Sequence, residues 1–494
     1  MTSIQPTSQL DPTGLSLDSP AADLVAAYVA DILERSHTVQ RVAEQLAAAD
    51  DYVSPEAPQL IRALAHIVSQ MRGAVIEQWT IYTQTESSKE VALLRGIDDN
   101  LRTIGGELRL PGRAISERVP GVLTRLVTKK AAELFTNASI ILRPQWNYNY
   151  KIHRDDIHTH YRNLLKGSLD PSLIDECLKS LPSPLYIISF PFIERGSVHL
   201  HSLLGHELGH LMAREYRPPA GSDDAFFNSV LEKSRRLSGK KGSSQLSIGE
   251  EADIKKALAA RQKAIKEFAA DAASIYLFGI AALFGAAQVA VARGLRGRRE
   301  ADDRYYPNWG TRLVHMLGLA EAEGWLEIPT DSGNTTFIEA AREADKRLLE
   351  IKNWAGKESN KWSVSDTWIA AGHEAAQELV PDIQTYLRSK FSAGFADCRT
   401  TYKRLPSLFE RLQWALPPDN IALSETEPES ASLEDIFVAS WWYRLWKVRP
   451  RFNGNDLATE SIEESERIRR LTLKAIENID LVDRFRSKID ELEK

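Results

Sequence analysis

The sequence predicts a mainly helical α+β protein, with a small β-sheet in a central core and helical modules on both flanks. Two observations carry this prediction. Apolar residues recur at intervals of three and four through residues 21–134 and again beyond residue 335, the period of helices that bury one face. Between these stretches lie two short apolar runs, Ile140-Ile141-Leu142 and Leu185–Phe190, with prolines near their ends, as buried strands require. With 494 residues, 43% hydrophobic and 26% charged, the chain can bury a full core.

Bulk chemistry narrows the function classes. The net charge of −6, with no basic domain interleaved with aromatics, argues against a nucleic-acid binder. Only Cys177 and Cys398 are present, too few for a disulfide framework and in keeping with a reducing, cytoplasmic setting.

Four regions follow in order. Residues 1–20 are polar and read as a disordered tail rather than an export signal. Residues 21–135 form a helical module: Leu24, Val25, Tyr28, Val29 and Ile32 make one stripe, and Ile61, Leu64, Ile67, Met71 and Val75 another. Pro55 and Pro58 punctuate them, and Trp79, Ile81 and Tyr82 extend the second stripe.

Residues 136–325 form the central core. The stretch from Lys151 to His160 reads as a polar surface segment. A second metal site is its alternative, since His158 and His160 would share a strand face. Residues 233–247, rich in Lys, Arg, Gly and Ser, read as a solvated basic loop, with a lid over the cleft as the alternative. Ser274–Ala292 is apolar enough to suggest a membrane span, but Gly279, Gly285 and the alanine content favour a buried helix.

Residues 326–494 are again helical. A turn is expected at 330–334, helices at Phe337–Lys357 and Trp368–Phe391, and a linker around Pro417-Pro418 and 424–430. Trp441, Trp442, Tyr443, Leu445 and Trp446 read as core. The closing helix turns Ile468, Leu471, Ile479, Val482, Phe485 and Ile489 inward, docking on the body or pairing with another chain.

One stretch points to chemistry. His206-Glu207-Leu208-Gly209-His210 is an H-E-x-x-H pattern, which on a helix brings two imidazoles to one face. Leu204, Leu208 and Leu211 form a separate apolar stripe, and Gly196-Ser197 is a candidate N-cap. Zn²⁺ suits two neutral imidazoles and acidifies a bound water, whose proton Glu207 is placed to take. Ala213 and Tyr216 exclude the variant that takes its third ligand from a downstream histidine on the same segment. Glu232 is followed one turn later by Arg236, not by a carboxylate. In Glu267-Phe268-Ala269-Ala270-Asp271, by contrast, two carboxylates share a helix face. Glu267 can then bind metal while Asp271 braces a metal-bound histidine. The alanines at 269, 270, 272 and 273 permit close approach of this helix to the first.

Together, His206–His210 and Glu267–Asp271 resemble the gluzincin metallopeptidases, most closely the branch of the CAAX-prenyl protease and the heat-shock membrane proteases. The resemblance spans residues 185–320. It implies a zincin-like catalytic core, His206, His210 and Glu267 as zinc ligands, Glu207 as general base and Asp271 in support. Tyr306-Pro307-Asn308-Trp309-Gly310-Thr311-Arg312-Leu313 is similar to a His-Pro segment of the family that ends in Arg, with Tyr306 standing in the histidine position. A phenol there can donate a hydrogen bond to an oxyanion. In that family a strand beside the active helix receives extended substrate, a role this assigns to Leu185–Phe190 or its neighbour. The expected function is zinc-dependent endopeptidase action on a peptide or protein, with no nucleic-acid partner and no membrane span. The competing readings are a regulatory or scaffold protein with structural zinc, and a hydrolase of non-peptide amides.

Overall fold

The computed structural model describes residues 22–49, 51–115, 121–135, 138–146, 150–154, 156–238, 247–293, 305–329, 335–361, 366–421, 429–448, 452–453, 456–457 and 459–492. The expected tail at 1–20 and turn at 330–334 lie outside the described residues, as do 239–246 of the basic segment. The chain divides into two compact units, Met1–Arg195 and Gly196–Lys494. The division falls between the strand Leu185–Pro191 and the H-E-x-x-H segment, inside the stretch 136–325 that the sequence assigns to one core. The helices beyond residue 326 share a unit with that segment.

In the first unit, α1 (Ala22–Ala47), α2 (Glu56–Thr85) and α3 (Ser88–Glu107) pack because each buries one stripe. Val25, Val29 and Ile32 on α1, Ile61, Leu64, Ile67, Met71 and Val75 on α2, and Leu94, Leu101 and Ile104 on α3 are all buried, while Leu24 faces away from the core. Tyr82 is buried, with Trp79 stacked on it at 5.7 Å between ring centroids. Asp98, buried on α3, is neutralised by Arg35 and Arg102, the latter at 2.7 Å.

There follow α4 (Gly121–Leu134), β1 (Ser139–Gln145), β2 (Lys151–Arg154), α5 (Ile157–Leu164), α6 (Pro171–Leu178) and β3 (Leu185–Pro191). The sheet has the order β1-β3-β2, with β3 parallel to β1 and antiparallel to β2. Both edges of β3 are therefore paired, which corrects the expectation of an edge-paired substrate for Leu185–Phe190 itself and leaves only its neighbours β1 and β2 at the edges of this sheet. All seven residues of β3 are buried, matching their largely apolar run, in which Ser189 is the one hydroxyl besides Tyr186.

His158 and His160 lie on α5, not on a strand. His158 Nε2 is 3.1 Å from the Pro182 carbonyl, and His160 Nε2 is 3.0 Å from the Glu107 carboxylate. They make no metal cluster among the described residues. The signal for a helix here is Asp156, which accepts hydrogen bonds from the Thr159 amide at 3.1 Å and its hydroxyl at 2.9 Å. Its other oxygen accepts from the Leu185 amide at 3.2 Å, tying α5 to the central strand.

Burial alone would raise the Asp156 carboxyl pKa, but these donors hold it below the usual carboxylate range. Asp156→Ala should therefore cost about 2 kcal/mol in the denaturant unfolding of the full chain near neutral pH. A depressed acid stabilises above its unfolded pKa and stops doing so as pH falls through the lower folded value. The gap between wild type and variant should accordingly close in acid, below about pH 4.

In the second unit, a 3₁₀ segment (Val198–Leu203) runs directly into α7 (Leu204–Met212), and Ser197 makes no side-chain cap, contrary to the expected N-cap. Lys233, Arg235 and Arg236 belong to a helix, α8 (Ser222–Ser238), and not to a loop. α9 (Ile248–Phe278) starts at a capping box formed by Ser247 and Glu250. It ends at Gly279, whose φ of +55° suits glycine and whose α-carbon faces the Trp325 indole so closely that a Cβ would lie 2.5 Å from it. This break divides the apolar run Ser274–Ala292 between α9 and α10 (Ile280–Arg293), which are buried from Ser274 to Ala287 while Val291 is exposed, and no described helix is long and apolar enough to cross a membrane.

The unit continues with α11 (Trp309–Ala322), α12 (Thr335–Lys361), α13 (Thr367–Gln377), α14 (Val380–Phe391) and α15 (Cys398–Gln413). A two-residue ladder, β4 (Asn420–Ile421) with β5 (Glu429–Ser430), precedes α16 (Leu433–Lys447). A second ladder, β6 (Phe452–Asn453) with β7 (Asp456–Leu457), precedes α17 (Thr459–Leu492). The single helix expected at Trp368–Phe391 is two, because Pro381 opens α14 where it lacks an amide to donate. Trp441, Trp442 and Tyr443 are core residues, with Phe337 stacked on Trp442 at 5.9 Å. On α17, Ile468 and Ile479 are buried, but Val482, Phe485 and Ile489 are exposed. A repeating stripe identifies the face that packs and not how far the surface beneath it extends.

Candidate metal centre

The centre is built where α7 crosses α9. Gly205 and Gly209, one helical turn apart, face α9. A Cβ on Gly209 would lie 2.7 Å from the Ala270 α-carbon and from the Ala273 methyl, and one on Gly205 would lie 2.7 Å from the Phe278 ring. Only hydrogen fits at either position. Each glycine directly precedes a histidine, so this close crossing carries His206 and His210 to the side of α9 that bears Glu267. The small residues of α9 are legible in the sequence. The matching glycines stand four apart in Gly-His-Glu-Leu-Gly-His, a spacing that places both on one helix face.

Donor atoms of His206, His210 and Glu267 lie within 4.8 Å of one another. His206 Nε2 is 3.5 Å from Glu267 Oε2, and His210 Nε2 is 3.8 Å from Glu267 Oε1. Donors about 2.0–2.1 Å from a tetrahedral Zn²⁺ stand ~3.4 Å apart, so this set is close to the spacing such an ion needs. On the other side of the ring, His206 Nδ1 is 2.9 Å from Asp271 Oδ1. Donating Nδ1–H to that carboxylate leaves the Nε2 lone pair directed at the shared space. Asp271 thus sits where the sequence expects it, one turn after Glu267 and behind the first histidine.

Arg312, buried on α11, completes the arrangement. Its Nε and one terminal nitrogen grip both oxygens of Asp271 at 2.8 and 2.7 Å, and its other terminal nitrogen is 3.0 Å from Glu267 Oε2. The guanidinium lies over the Trp309 ring, 4.2 Å from its centroid. The Asn308 side chain caps α11 through the Thr311 amide at 2.8 Å, which starts the helix one turn before Arg312. The Tyr306–Leu313 resemblance indicates the segment but not this role. Tyr306 itself accepts a hydrogen bond from Lys263 Nζ at 2.7 Å.

The electrostatics act on the two rings in opposite directions. Burial opposes ionisation of Glu267 and Asp271, yet Arg312 and His206 outweigh it, holding Glu267 well below the usual carboxylate range and lowering Asp271 as well. Burial likewise opposes a charged His206, but its bonds to Asp271 and Glu267 push it up to about 9. His210 moves the other way, to about 4, through burial and the neighbouring His206. Glu207 lies on α7 between the two histidines and is buried. His373, in the His373-Glu374 pair that lacks a partner histidine, donates from Nε2 to the Tyr305 carbonyl at 2.9 Å and takes no part in the cluster. Compared with family models, with curated proteins and with solved structures, the chain matches none.

Proposed function

We propose that this protein is a zinc-dependent endopeptidase with a zincin-like catalytic core, in which His206, His210 and Glu267 hold the metal. The observation that carries the reading is the convergence of those three side chains, with His206 braced from behind by Asp271. Zn²⁺ bound there supplies Lewis acidity toward a scissile carbonyl and toward water. The chain's own residues do the rest. Asp271 fixes the tautomer of His206, and Arg312 keeps Asp271 and Glu267 ionised. Glu207 takes the proton of the attacking water and passes it to the leaving amine. The unbridged thiols Cys177 and Cys398 support a cytoplasmic setting.

The test is metal content of the purified chain, measured by mass spectrometry after dialysis against dilute zinc. Wild type should retain about one equivalent, while His206→Ala and Glu267→Ala should each lose most of it. Equal retention by all three proteins sinks the assignment.

A further inference from the structure

A polar cluster in the unit Met1–Arg195 takes no part in the metal centre. Arg143 on β1 and Lys151 on β2 are both register partners of Ser189 on β3, so the three stand in one row across one face of the sheet. His153 lies at the irregularity in the pairing of β2 with β3, and its ring reaches the same row. Its Nε2 is 2.8 Å from a terminal nitrogen of Arg143 and 2.5 Å from Ser189 Oγ. The 3₁₀ turn Pro111–Arg113 packs against β1 and sets the charge of Arg113 beside that of Arg143.

The cluster is short of negative charge. A guanidinium only donates, so His153 Nε2 accepts from Arg143 and the ring offers it no counter-charge. Arg143 is 6% exposed, and its buried Nε has no hydrogen-bond partner. Among the described residues, no carboxylate pairs with Arg143, Arg113 or Lys151. Burial and the like charge of Arg113 push the Arg143 pKa down to about 10, which still leaves it charged at neutral pH. A buried cation without a counter-charge is costly to keep, and an unmet donor beside it adds to the cost. Lys151 is exposed and Arg113 and His153 are half-buried, which gives an anion a way in.

We propose that this row is a phosphate site, in which Arg143 and Arg113 hold the phosphate group of a small ligand. Two guanidinium charges match a phosphate dianion, whereas a carboxylate leaves one of them uncompensated. The planar fork of an arginine also suits the paired oxygens of a phosphate. His153 fixes the Arg143 guanidinium from one side and, being uncharged, neither neutralises nor displaces the anion. Lys151, at the exposed end of the row, adds attraction toward the approaching ligand.

The experiment is titration calorimetry of the full chain in chloride buffer with inorganic phosphate, glycerol 2-phosphate and acetate. Wild type should bind about one phosphate per chain saturably, with acetate at least tenfold weaker. Binding of glycerol 2-phosphate as tight as that of phosphate identifies a phosphomonoester as the ligand, and its exclusion identifies the free ion. Arg143→Met should weaken phosphate at least tenfold. Arg113→Gln, at a half-buried position, should do likewise and serves if the first variant does not fold. His206→Ala, in the other unit, should bind phosphate as wild type does, which separates this site from an anion held on a metal. Absence of saturable binding to wild type overturns the proposal. So does acetate bound as tightly as phosphate, loss of binding in His206→Ala, or undiminished binding by a folded variant of either arginine.

Discussion

Glu207→Gln should lower peptide hydrolysis by about 10²–10⁴-fold while leaving bound zinc at the wild-type level. The amide keeps the volume and polarity of the carboxylate at a buried position on α7, so the helix and the two histidines should hold their places. What it loses is the ability to accept a proton from water and return it to an amine, and general-base loss has about this magnitude. The readout is cleavage of a denatured protein mixture, with metal content measured on the same samples. If Glu207→Gln cleaves as wild type does, Glu207 is not the base. If neither protein cleaves anything while both hold zinc, the metal stiffens a scaffold. Cleavage products that contain no peptide bonds would direct the same site toward other amides.

Arg312→Met should destabilise the folded chain by about 3–5 kcal/mol, the penalty for leaving buried carboxylates without their cation. Methionine fills part of the same volume but offers Asp271 and Glu267 no charge, and both side chains are buried. Its second consequence is at the metal. With Asp271 released, the His206 ring is no longer held by Nδ1, and loss of such a support weakens metal binding about 10–100-fold. Arg312→Lys should fall between, because an ammonium keeps the charge but cannot grip both Asp271 oxygens at once. Denaturant unfolding and zinc titration of the three proteins test this, and an unfolding midpoint for Arg312→Met equal to that of wild type would refute it.

The parts of the fold that could be read in advance are those written in one local period. The stripes of α1 and α2, the buried run of β3 and the aromatic band of α16 each show themselves within a dozen residues. The pair Glu267 and Asp271 was legible for the same reason, since a spacing of four fixes a shared face wherever the helix goes. What could not be read depends on contacts distant in sequence. Nothing around β3 says that strands will pair on both its edges. Nothing on α17 says that its inward stripe outruns the surface beneath it at Val482, Phe485 and Ile489. The histidines of α5 look like a strand face until the Asp156 cap is recognised. Arg312 belongs to this second class: a lone arginine after Trp309 becomes informative only when two carboxylates from another helix are placed against it.

The crossing of α7 over α9 has a consequence for how the centre tolerates change. Because Gly209 meets the α9 main chain at Ala270 and Gly205 meets the Phe278 ring with no room for a Cβ, the gap between imidazole and carboxylate is set largely by main-chain placement. Sequence drift on the outer surfaces of either helix leaves that grip untouched. A single added methyl at the contact, by contrast, would pry apart the imidazoles and the carboxylate.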